Sequence, residues 1–155
     1  MTTRPRGARL VRAASAALMA CLALGGCVVP ARDDGAFRAN AEAALGSAVS
    51  EARTGALVLQ ARLDGHATNA YADTVITESE SAIGPIEDSF GNVDPPEPGQ
   101  DQLRTDVMEL LGDTADAFAA ARLAVRRDDE AQMRATATEL TEVADRMDDA
   151  KEGLR

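Results

Sequence analysis

The chain has 155 residues, 26 of them acidic and 16 basic, for a formal net charge of −10. That balance excludes a nucleic-acid binder, whose phosphate contacts require a basic face, and the length suits one domain with a real core. With no Trp, one Tyr and three Phe, that core must be built from Ala, Leu, Val, Ile and Met.

The first element is a leader. Arg4, Arg6, Arg9 and Arg12 precede an apolar run from Ala13 to Leu24. The run is too short for the roughly 20 residues of a membrane-spanning helix, and a basic start, a short apolar stretch and small residues mark a secretory signal peptide. It ends in Leu24-Gly25-Gly26-Cys27. This tetrapeptide resembles the lipobox of bacterial lipoproteins. Cys21, after Leu18-Met19-Ala20, fits that pattern less well, because Met19 is bulky and the apolar run would shrink. The resemblance covers residues 1–27 alone. It implies cleavage between Gly26 and Cys27, acylation of the Cys27 thiol, and a mature protein held by lipid on the extracytoplasmic face of the cell membrane. Two or more acyl chains give durable anchoring. Residues 1–26 hold four arginines and no acid, so the mature chain has 12 basic residues against 26 acids, formally −14. It keeps no cysteine beyond Cys27, so packing must supply stability without a disulfide.

Residues 27–34 read as the lipidated terminus and a short tether, and residues 35–155 as a helical domain. The first helix begins near Asp34, whose carboxylate suits a cap. Leu45, Val49, Ala52, Ala56, Leu59 and Leu63 follow at steps of four and three, a heptad seam. Asp64-Gly65 closes it. A second helix is expected from Ala67, with its seam at Ala72, Ile76, Ser79, Ile83, Ile86 and Phe90 and a kink at Gly84-Pro85. Residues 91–100, with Pro95, Pro96 and Pro98, form a stiff loop. The third helix runs from Asp101 to Arg127, with Leu103, Val107, Leu110, Leu111, Phe118 and Val125 on its apolar face. Asp129-x-x-Gln132 is a capping-box pattern for the fourth, whose seam is Met133, Ala137, Leu140, Ala144 and Met147. Four amphipathic helices joined by short, long and short connections imply an all-α, antiparallel four-helix bundle of two hairpins. Ala61-Arg62-Leu63 and Ala121-Arg122-Leu123 before the two short turns hint at related hairpins; chance in an Ala-rich chain is the simpler account.

Chemistry is sparse. His66 is the sole histidine, without the Glu-x-x-His pairs of a di-iron bundle or a haem-attachment motif. No nucleophile has an evident base, and no phosphate loop, zinc pattern or calcium loop occurs. The expectation is therefore a non-catalytic protein with no cofactor and no resident metal. One stretch stands out. Between Arg62 and Arg104 there is no basic residue and there are nine acids. Glu80, Glu87, Asp88, Asp94 and Glu97 are its candidate partner-binding residues, for a cationic protein or, alternatively, a divalent ion or small ligand; a solvated helix face is the simpler account. Gly46, Ser47, Ser50, Thr54 and Gly55 give the first helix a second, small-residue surface, for which burial inside the bundle is the simpler expectation. The whole reads as a membrane-anchored lipoprotein that binds or scaffolds another envelope component, probed best through its partner.

Overall fold

The computed structural model describes residues 33–155. They form α1 (Asp34–Leu63), α2 (Asn69–Gly91), a single 3-10 turn (Pro98–Gln100), α3 (Asp101–Arg126) and α4 (Glu130–Glu152). The helices make an antiparallel four-helix bundle. Each packs on its neighbour in the chain, α1 closes the ring against α4, and α1 also meets α3 across the diagonal. The start of α1, the α2–α3 connection and the end of α4 therefore share one end of the bundle, and the two short turns share the other.

Local chemistry sets the ends of these helices. The cap of α1 is Asp33 rather than Asp34: its carboxylate accepts the Ala36 N–H at 2.8 Å, and Asp34 falls in the first turn, where it complements the helix dipole. The next helix starts two residues later than Ala67, because the Thr68 hydroxyl accepts the Tyr71 N–H. Asp129 caps α4 by accepting the Gln132 N–H at 3.0 Å, half of the capping box.

The two short turns are alike. Gly65 (φ 77°) and Asp128 (φ 52°) each take the left-handed conformation, and His66 N–H and Asp129 N–H each reach back five residues, to the Ala61 and Ala124 carbonyls. In this alignment Ala61 matches Ala124, so the Ala-Arg-Leu triplets are three residues out of step and do not mark an equivalence.

Pro85 lies inside α2, which continues through it to Gly91. Proline deprives the Ser81 carbonyl of its helical donor. Ser81, Gly84 and Pro85 are all exposed, so water can replace that bond and the helix need not end. Gly91 belongs to α2, and the irregular connection is limited to residues 92–97.

The core is aliphatic and aromatic. Phe37, Phe90, Phe118, Leu45, Leu59, Ile76, Ile83, Leu111, Met133, Leu140 and Met147 are buried almost completely. Of the first seam, Leu45, Val49, Ala52 and Leu59 are buried, while Ala56 and Leu63 are half-buried. On α3 the centre of the core is Leu111, with Leu110 at its edge. Phe37 and Phe90 join the start of α1 to the end of α2, their ring centroids 5.5 Å apart and tilted. The buried Thr114 and Thr136 hydroxyls donate to carbonyls of their own helices, Leu110 and Gln132, so neither is an unmet donor.

Candidate functional site

The acids of α2 do not form a free cluster. Cations of α3 meet two of them, Asp73 and Glu80, along the α2–α3 seam. Arg126 Nε donates to Asp73 at 3.0 Å, and Arg122 Nε donates to Glu80 at 2.5 Å. Near the other end Arg104 donates to the Gly91 carbonyl at 2.6 Å and lies 3.4 Å from Asp94. The 41-residue stretch without a basic residue is thus answered by arginines one helix away. The Glu80 bond and charge hold the Arg122 guanidinium's pKa above its ordinary value. The pair is about three-quarters buried at both side chains, the most enclosed of these contacts.

The remaining candidates separate. Glu87 is half-buried and Asp88 exposed on α2, and Glu97 precedes the 3-10 turn without a side-chain capping bond. Among the described residues no group of three or more His, Cys, Asp or Glu is arranged to hold a metal ion. His66 is exposed in the first turn. Gly26 and Cys27 lie outside the described residues. No helix among the described residues is long and apolar enough to cross a membrane.

Two polar junctions were not foreseen from the sequence. Arg62 donates to Asn69 and, at 2.6 Å, to Asp128, and Asn69 donates to the Val125 carbonyl. These bonds tie the two short turns together. Asp148 accepts from Arg53 at 2.6 Å and from Lys151 at 2.7 Å. The Lys151 hydrogen bond, reinforced by the charges of Lys151 and Arg53, outweighs partial burial and holds the Asp148 carboxyl below its ordinary pKa. The long-range bonds of these junctions, Arg62–Asp128, Asn69–Val125 and Arg53–Asp148, join residues 66, 56 and 95 positions apart, and only the helix register brings them together.

The small-residue surface of α1 divides in two. Gly55 is buried, facing the Phe118 ring. Ser47, Ser50 and Thr54 are exposed and Gly46 is half-exposed with open space beside it, so burial in this bundle does not explain them. Shallow hollows flank this face. One of about 280 Å³ lies between α1 and α2, lined by Ala43, Ser47, Ile86 and Phe90 among others. A groove of about 650 Å³ runs between α1 and α4 past Arg53, Leu57, Arg134 and Thr138.

No protein-family model, curated protein or solved structure matches the chain.

Proposed function

We propose that the mature chain is a lipid-anchored, extracytoplasmic module that binds or scaffolds another cell-envelope component and catalyses no reaction. The observation that carries this reading is Leu24-Gly25-Gly26-Cys27 behind a basic and then apolar leader. Six residues separate Cys27 from the first residue of α1, a reach of about 20 Å when extended. The end of the bundle bearing the α2–α3 connection is then the membrane-facing end, and the two tied turns face away from the bilayer. The pairing of Glu80 with Arg122 and the approach of Arg104 to Asp94 support this reading over a metal or small-ligand site on the acidic second helix.

The test is Cys27→Ser in the full chain, followed by membrane fractionation and mass spectrometry of the mature N-terminus. The expected wild type starts at an acylated Cys27 and sediments with membranes, and the variant loses both properties. A wild-type product without lipid, or one beginning elsewhere, overturns the reading.

A further inference from the structure

We draw no further inference here: the strongest candidate, the shallow groove of about 650 Å³ between α1 and α4 past Arg53, Leu57, Arg134 and Thr138, has both of its cations already paired with acids of the bundle, and nothing in the structure shows what covers it.

Discussion

Gly55 of α1 lies directly against the ring of Phe118 of α3. A Cβ at Gly55 would stand 2.5 Å from a Phe118 ring carbon and 3.1 Å from a Leu140 methyl. This glycine lets the two helices approach across the diagonal of the bundle and lets a phenylalanine fill the centre.

Gly55→Ala is therefore expected to destabilise the bundle. Alanine favours a helix over glycine by up to about 1 kcal/mol, but forcing the Phe118 ring aside costs about 1–3 kcal/mol. Gly112→Ala, where a Cβ meets nothing within 4 Å, is expected to stabilise by up to about 1 kcal/mol. Chemical denaturation of the chain from residue 28 measures both. Equal gains at the two sites would show that the diagonal contact is looser than described. Shortening the ring by Phe118→Leu should recover part of the Gly55→Ala loss, a coupling that a double-mutant cycle reads directly.

The core makes a graded prediction. Leu111→Ala and Leu140→Ala each remove a fully buried side chain and should cost about 2–5 kcal/mol. Leu110→Ala, at the rim, should cost clearly less. Glu142→Ala, on the exposed face of α4, should change stability by less than about 0.5 kcal/mol. Denaturant midpoints at constant slope give the order, and a Leu110 effect as large as that of Leu111 would contradict the assigned rotation of α3.

The helices themselves were legible in the sequence because apolar residues recur at helical period, and Gly65 and Asp129 punctuate them. What the sequence left open depends on rotation and register. Leu110 and Leu111 are both apolar and adjacent, and only packing decides which one points to the centre. Gly46 and Gly55 look equivalent within one helix, yet only Gly55 faces Phe118. Asp33 and Asp34 are equally good capping residues, and the backbone of the first turn chooses between them. The acidic stretch read as a possible site because its counter-charges, Arg104, Arg122 and Arg126, lie on another helix. Their pairing with Asp94, Glu80 and Asp73 exists only once α2 and α3 are in register. Gly26 and Cys27, by contrast, are candidates on sequence grounds alone.

That ladder separates the acids of α2 by experiment. Glu80→Gln removes the charge facing Arg122 and is expected to cost up to about 1 kcal/mol, the scale of a partly exposed ion pair. Glu87→Gln and Asp88→Asn, for which no cation among the described residues is in contact, should be neutral or slightly stabilising, because they reduce the self-repulsion of an acidic chain. Thermal melts of the single variants at low and high salt would show it: the Glu80→Gln deficit should shrink as salt screens the pair. A salt-independent loss, or equal effects at all three positions, would mean that the ladder does not contribute.

The last prediction concerns acid. Asp148 is held below its ordinary pKa chiefly by its hydrogen bond to Lys151, with the charges of Lys151 and Arg53 adding to it. A carboxyl whose folded value is depressed binds protons more readily in the unfolded chain. Its contribution to stability is therefore fully present above the unfolded value, about 3.9, and is lost as pH falls through the lower folded value. Asp148→Asn should lower stability at neutral pH and leave a shallower acid limb, so that the variant and wild type converge as pH falls through the depressed folded value. Lys151→Met should remove most of the same difference, because Lys151 is the leading cause of the shift, whereas Arg53→Met should remove less. Urea unfolding from about pH 2 to pH 7 resolves these curves. A gap between wild type and Asp148→Asn that stays constant across that range would mean that the carboxylate stabilises α4 by packing and not by its charge.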